Sequence, residues 1–140
     1  MTLEKEGKLR GCIGSIIGYR ALINDLINHA RNAAFKDTRF NPVELDEIEQ
    51  LKVKVSLLSE PKKLSFNSEK ELLEQIIPNV DGLIIKDGVY QAVYLPSVWR
   101  EIPNKEDFLI NLKLKAGLAP YYFSKTFEAF KFKTEYIEET

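Results

Sequence analysis

One sulfur, one imidazole and a few fixed charges carry most of the chemistry open to this sequence. Cys12 is the only cysteine and His29 the only histidine among 140 residues. Cys12 sits in Leu9-Arg10-Gly11-Cys12-Ile13-Gly14. On a strand, the two-residue period places Arg10 and Cys12 on one face and Leu9, Gly11 and Ile13 on the other. A fixed cation beside a thiol favours the thiolate, so this pattern is one route to a nucleophilic sulfur with an anion-binding guanidinium next to it. Gly11 and Gly14 leave backbone uncovered, allowing a ligand or another strand to come close. The competing reading is a buried cysteine acting as a small hydrophobe, with the glycines marking a bulge or tight packing. A nucleophile also wants a positioned base. His29 lies on a separate predicted helix, beside its apolar stripe, where a surface or boundary position is expected.

Asp37-Thr38-Arg39-Phe40 offers a carboxylate and a planar cation at a predicted helix exit. Such a pair can orient an anionic group in a cleft, and it equally serves local hydrogen bonding at a turn. Asp81-Gly82 reads first as a turn before a strand and second as a site acid. Trp99 reads as core packing, with a pocket wall as the alternative. Tyr121-Tyr122-Phe123 fits an exposed partner surface or a buried corner.

The elements that must position these residues are legible in the spacing. A hairpin is expected from Thr2 to Cys12 around Glu6-Gly7. Gly14 and Gly18 punctuate the way into a helix from about Arg20 to Phe35, with Leu22, Ile23, Leu26, Ile27, Ala30, Ala33 and Ala34 at helical period. This is expected to be the main core helix. Val43 to Ile48 reads as a short acidic helix with Pro42 near its first turn, and Leu51 to Leu57 as a half-buried strand ended by Glu60-Pro61. Ser68 and Glu71 have capping-box spacing for a helix stopped near Pro78. A second hairpin turns on Asp87-Gly88, with Pro96 closing its second strand. Asn104 and Gly117 bracket another helix. Alternation from Phe130 to Tyr136 predicts one final strand. Two tight hairpins and no glycine-rich phosphate loop favour an α+β fold, with an antiparallel or mixed sheet and packed helices, over a doubly wound one.

Composition narrows the function classes. A hydrophobic fraction of 44%, with 20 Lys and Arg against 21 Asp and Glu, describes one ordinary globular domain over residues 1–140. A chain of this length buries roughly two-thirds of its unfolded surface. A lone cysteine excludes an intrachain disulfide framework and suits a reducing compartment. One Cys and one His cannot complete a structural zinc site. The balanced charge disfavours nucleic-acid binding through a broad basic footprint. Met1-Thr2-Leu3-Glu4-Lys5-Glu6 is too polar for a signal peptide, and no run approaches the ~20 apolar residues of a membrane helix. The expectation is a cytoplasmic protein with no membrane association, no metal and no cofactor.

The motifs also carry a resemblance. Leu9-Arg10-Gly11-Cys12-Ile13-Gly14 is similar to the signature hexapeptide of the AMMECR domain family. It is joined in order by Ala33-Ala34-Phe35, Asp37, Arg39-Phe40, Leu58-Ser59-Glu60-Pro61, Val80-Asp81-Gly82-Leu83, Leu95-Pro96 with Val98-Trp99, and Lys115-Ala116-Gly117-Leu118. The resemblance runs nearly end to end and implies an α+β fold with two lobes around a cleft, the signature lying near it. Two positions depart from the pattern: Thr38 stands where the family usually has Pro, and Ala92-Val93-Tyr94 where it often has Gly-Thr-Phe. The resemblance does not supply a reaction. It implies a binding module or component of a three-part system with a Memo-like and a radical SAM protein, with Arg10, Gly11, Gly14, Asp37, Arg39 and Trp99 as contact residues. The alternative is an enzyme using Cys12 as thiol nucleophile, with Arg10 binding an anionic substrate. Family members generally carry more chain upstream of the signature, so an apolar surface near the first hairpin is expected, covered by a second copy in a homodimer.

Overall fold

In the computed structural model, which describes residues 1–15 and 21–139, the chain divides into two compact units: Met1–Leu57 with Glu135–Thr140, and Leu58–Thr134. The strands in chain order are β1 (Thr2–Lys5), β2 (Lys8–Cys12), β3 (Leu51–Leu58), β4 (Lys62–Lys63), β5 (Gly82–Asp87), β6 (Tyr90–Tyr94), β7 (Glu128–Phe132) and β8 (Thr134–Glu138). The helices are α1 (Leu22–Phe35), α2 (Glu69–Glu74) and α3 (Lys105–Ala116). The strands form two antiparallel sheets, ordered β2-β1-β3-β8 and β4-β7-β5-β6. The fold class is α+β.

In the first unit, the N-terminal hairpin turns on Glu6 and Gly7 at φ 52° and 76°, the left-handed pair whose twist suits a two-residue loop. Helix α1 lies on β1 and β2, but it is not the main core helix. Its buried residues are His29 and Ala33, while Ile23 and Ile27 are 63% and 54% exposed. The cause is the close approach of β2: Gly11 faces the Ala33 backbone and carries no side chain to hold it off. The helix therefore meets the sheet at His29 and Ala33, with Ile23 and Ile27 turned away. Gly18 and Arg20, expected on the way into this helix, lie outside the described residues.

The predicted acidic helix is a 3-10 segment, Leu45–Gln50, starting later than Pro42 suggests. The reciprocal Glu44/Glu47 cap sets its start, with Glu44 N–H donating to Glu47 Oε2 at 2.9 Å.

The second unit holds the contiguous apolar core. Leu83, Ile85, Ala92 and Ala129 from the sheet meet Leu72 and Ile76 around α2, and Phe108, Leu109 and Leu112 of α3. Trp99 lies in this core, parallel to Phe108 with ring centroids 3.7 Å apart. Asn104 caps α3 by accepting from Asp107 N–H at 3.0 Å, and Gly117 ends it at φ 88°. Buried Lys113 donates to Glu69 Oε2 at 3.0 Å, tying α3 to α2.

The predicted final strand is two strands in different sheets. Lys133 interrupts it: its N–H donates to Ser59 Oγ at 2.8 Å, and its carbonyl accepts from Ser59 N–H at 2.8 Å. Side-chain alternation runs straight through Lys133, so periodicity contains no sign that the backbone changes partners there.

Candidate functional site

Strand β2 is an edge of its sheet, and an open edge presents backbone groups that need partners. Cys12 lies opposite Thr2, and Ile13 N–H donates to Met1 O at 3.1 Å. The peptide groups of Cys12 are met from outside by Asp37 and Arg39. Cys12 N–H donates to Asp37 Oδ2 at 3.0 Å, and Cys12 O faces Arg39 Nη2 at 3.5 Å. Arg39 also grips Asp37 in a two-point fork, Nε to Oδ1 at 3.0 Å and Nη2 to Oδ2 at 2.7 Å. The pair thus imitates the donor and acceptor of a neighbouring strand.

Local chain geometry makes this arrangement. Helix α1 ends at Phe35, and a turn follows in which Phe40 N–H donates to Asp37 O at 3.1 Å. Asp37 Oδ1 also accepts from Arg39 N–H at 3.1 Å, the side-chain-to-backbone bond by which Asp imitates a turn two residues on. Thr38 occupies the middle of that turn without displacing either neighbour. The Arg39 fork, and next the Cys12 N–H, hold Asp37 well below the ordinary carboxylate range. Arg39 is raised in return, first by that fork and least by Cys12. Arg39 is thus the cation in contact with Cys12, through the Cys12 carbonyl. Cys12 itself is exposed, its Sγ 3.4 Å from Thr2 Oγ1.

Arg10 is elsewhere, contrary to the two-residue alternation. Leu3 pairs with Gly11 and Glu4 with Leu9, leaving Arg10 as the extra residue of a bulge. Its Nε and Nη2 each donate to Glu47 at 3.0 Å and its Nη1 to Asn41 O at 2.8 Å. All three guanidinium nitrogens are engaged and the side chain is 14% exposed, so Arg10 pins the 3-10 segment to the hairpin and offers little to an anion. Gly11 is buried against α1, and among the described residues Gly14 has only Met1 N near it, at 4.0 Å from where a Cβ would stand. Trp99 is 1% exposed in the core of the second unit and presents no surface to a partner. Of the expected contact residues, Cys12, Asp37 and Arg39 are in direct contact with one another.

The comparisons with known proteins give the family and the fold. The AMMECR1 family pattern matches residues 1–137. The chain belongs to the AMMECR1 family. It is 39% identical over 142 residues to a protein of Methanothermobacter thermautotrophicus, covering 99% of this chain and 73% of the relative. It is 40% identical over 134 residues to protein MJ0810 of Methanocaldococcus jannaschii, covering 94% and 67%. The crystal structure of the uncharacterized protein PH0010 of Pyrococcus horikoshii resembles it with a TM-score of 0.87 at 34% identity, covering 99% of this chain and 71% of that one.

In this AMMECR1-family chain, the cluster can do two things chemically. It presents an exposed thiol on a backbone held from both sides, and it presents Arg39, whose side chain is 57% exposed. Among the described residues, Arg39 Nη1 has no hydrogen bond, which leaves one edge of the fork to meet an acceptor. His29 departs from its expected position. His29 is buried, not at the surface, with Nε2 2.8 Å from Ser15 Oγ and 3.2 Å from Asp25 Oδ1. Both contacts fall on one nitrogen, unlike a nucleophile, base and orienter in series, where the orienter holds the other ring nitrogen. The spacing of Asp25 and His29, one helical turn apart, was the available signal. Among the described residues, no helix is long and apolar enough to cross a membrane.

The carboxylates make a pH prediction. Glu47 is lowered from its ordinary 4.5 to about 2, first by the Arg10 hydrogen bonds. A carboxylate depressed on folding stabilises the fold above its unfolded pKa, and that contribution is lost as pH falls through the folded pKa. Thermal stability of the first unit should therefore decline on acidification from just above 4.5 toward about 2. Glu47→Gln should flatten that decline in far-UV circular dichroism melts. An acid transition unchanged by Glu47→Gln would contradict the assignment.

Proposed function

We propose that this chain is a binding module whose contact surface centres on Cys12, Asp37 and Arg39, with Gly14 exposed two residues after Cys12. Its partners are the components that the family resemblance implies, a Memo-like protein and a radical SAM protein. The observation that carries this reading is the exposed Cys12 edge, held by the Asp37 and Arg39 fork, with the Arg39 side chain 57% exposed and its Nη1 without a hydrogen bond among the described residues. A preorganised surface of this kind binds with little ordering cost. The family match across both units supports treating residues 1–140 as one AMMECR-type domain. An exposed, unpaired thiol is consistent with a reducing, cytoplasmic location. The same reading includes association of two copies.

Titration calorimetry with the purified Memo-like and radical SAM proteins tests it. Arg39→Ala should weaken binding by about tenfold or more, and Cys12→Ser should leave it within about twofold. Binding to neither protein, or equal binding by Arg39→Ala, would overturn the module reading. The exposed sulfur beside Thr2 and Arg39 favours one second reading, an enzyme in which Cys12 is the nucleophile and Arg39, in place of Arg10, holds an anionic substrate. That reading expects alkylation of Cys12 by iodoacetamide at neutral pH well above the rate of free cysteine, and complete loss of function in Cys12→Ser. An ordinary alkylation rate with function kept in Cys12→Ser removes it.

A further inference from the structure

Among the described residues, nothing covers half of the apolar stripe on α1. Ile23, Ile27, Ala30 and Ala34 recur at one face of the helix. Ile23 is 63% and Ile27 54% exposed, and the two alanines are half-buried. The sheet takes the other part of the arc, at His29 and Ala33. Within the first unit, Leu3, Ala33 and Val43 are the buried apolar residues among those described, and the contiguous core lies in the second unit. A unit of about 60 residues is marginal even with a good core, so a wet aliphatic stripe on its main helix is a large unused source of burial. It is not where the sequence leads one to look: at the first hairpin, Leu3 is buried and Leu9 is the large apolar residue left exposed.

We infer that this stripe is the contact face between two copies of the chain, with their α1 helices packed antiparallel about a two-fold axis. The stripe is self-complementary in that arrangement. With Ile27 opposite Ala30 of the second copy, the same register sets Ile23 opposite Ala34, so each large side chain meets a small one and the helices can approach closely. Parallel packing would set isoleucine against isoleucine and leave gaps between alanines. None of the four residues carries a charge, so no charge on the stripe is desolvated. One short helix pair buries less than the roughly 800 Å² per partner of a standard interface, which makes the dimer reversible and concentration-dependent. The inference rests on the two-copy association included in the proposed function but on no role for Cys12, so either can fail alone.

Sedimentation equilibrium of the full chain in reducing buffer, from low micromolar to several hundred micromolar, tests it. The mass should rise from one chain toward two with concentration. Ile27→Glu should hold it at one chain throughout, with an unchanged far-UV spectrum, and Ile23→Glu serves the same purpose should Ile27→Glu fold poorly. Adding Ala30→Lys to Ile27→Glu should restore association, because the proposed register places the two new charges opposite each other. Leu45→Glu, at a residue 86% exposed but off the stripe, should leave the dimer intact. One-chain mass at every concentration would overturn the inference and assign the stripe to some other occupant. A dimer unaffected by both isoleucine variants, or abolished by Leu45→Glu, would overturn it as well.

Discussion

Trp99→Ala should destabilise the second unit by about 3–5 kcal/mol, the range for emptying a fully buried aromatic site. Trp99 is 1% exposed and lies flat against Phe108, 4° from parallel at 3.7 Å between centroids. Its Nε1–H donates to Asp81 O at 2.7 Å, so truncation also leaves a buried carbonyl without its donor. Asp81 is itself buried and accepts Ile77 N–H through Oδ2 at 2.8 Å, which ties the segment after α2 to the start of β5. Set against a typical total of ~5–15 kcal/mol, this single change brings the unit close to unfolding. Trp99→Phe should cost less, about 1–3 kcal/mol, because it keeps a ring against Phe108 and loses chiefly the hydrogen bond. Urea denaturation followed by far-UV circular dichroism measures both. A loss under about 1 kcal/mol for Trp99→Ala would mean that the site collapses around the missing ring or that Trp99 is not so enclosed.

Gly11→Ala should be the most damaging small change in the signature hexapeptide. A Cβ at Gly11 would sit inside the van der Waals envelope of the Ala33 carbonyl oxygen, and the obstacle is backbone, not the end of a flexible side chain. β2 and α1 must separate to admit it, at a cost of about 1–3 kcal/mol. That loss falls on the unit with few buried apolar residues. Separation also pulls Cys12 away from Asp37, which reaches it from beyond the end of the same helix. Gly14→Ala is the matched control. Among the described residues the nearest atom to its Cβ position is Met1 N at 4.0 Å, so stability should stay within about 0.5 kcal/mol of wild type. Hydrogen exchange at the Cys12 amide, with urea denaturation, separates the two outcomes. Equal stability and equal Cys12 protection in Gly11→Ala and wild type would refute the close-approach account. On that account the two glycines of one hexapeptide do different work: one admits a helix, and the other lies open at the surface.

Much of the local architecture was readable because its causes are local. Both hairpins form: the first turns on Glu6-Gly7 as expected, and the second turns on Gly88-Val89, one residue later than Asp87-Gly88, because Gly88 takes the positive φ while Asp87 stays paired with Tyr90. Ser68 accepts from Glu71 N–H at 3.2 Å as its spacing predicts, although Glu71 reaches back to Asn67 N–H, one residue earlier than the usual box. Asn104 and Gly117 bound α3 as expected. The candidate site was legible as a set of residues, with Cys12, Asp37 and Arg39 all singled out, but not as a set of contacts. Arg10 was placed beside Cys12 by strict alternation. One extra residue in the bulge turned it to Glu47, and Arg39 stands by the cysteine in its stead.

The sequence by itself determined family, fold class, most element boundaries and the chemical groups available, because turn, cap and periodicity rules act over a few residues of chain. Tertiary structure alone decided which surfaces meet. It buried His29, whose position beside an apolar stripe says nothing about which side of the helix the sheet will take. It divided the last strand at Lys133, where alternation continues unbroken but Ser59 takes the backbone hydrogen bonds. It placed the contiguous core around α3, whose amphipathic pattern is weak and includes the buried Lys113 paired with Glu69. It left the better patterned stripe of α1 open. The physical reason is the same in each case: a hydrophobic pattern states that a face is fit for burial, while the partner that covers it comes from residues far away in the chain.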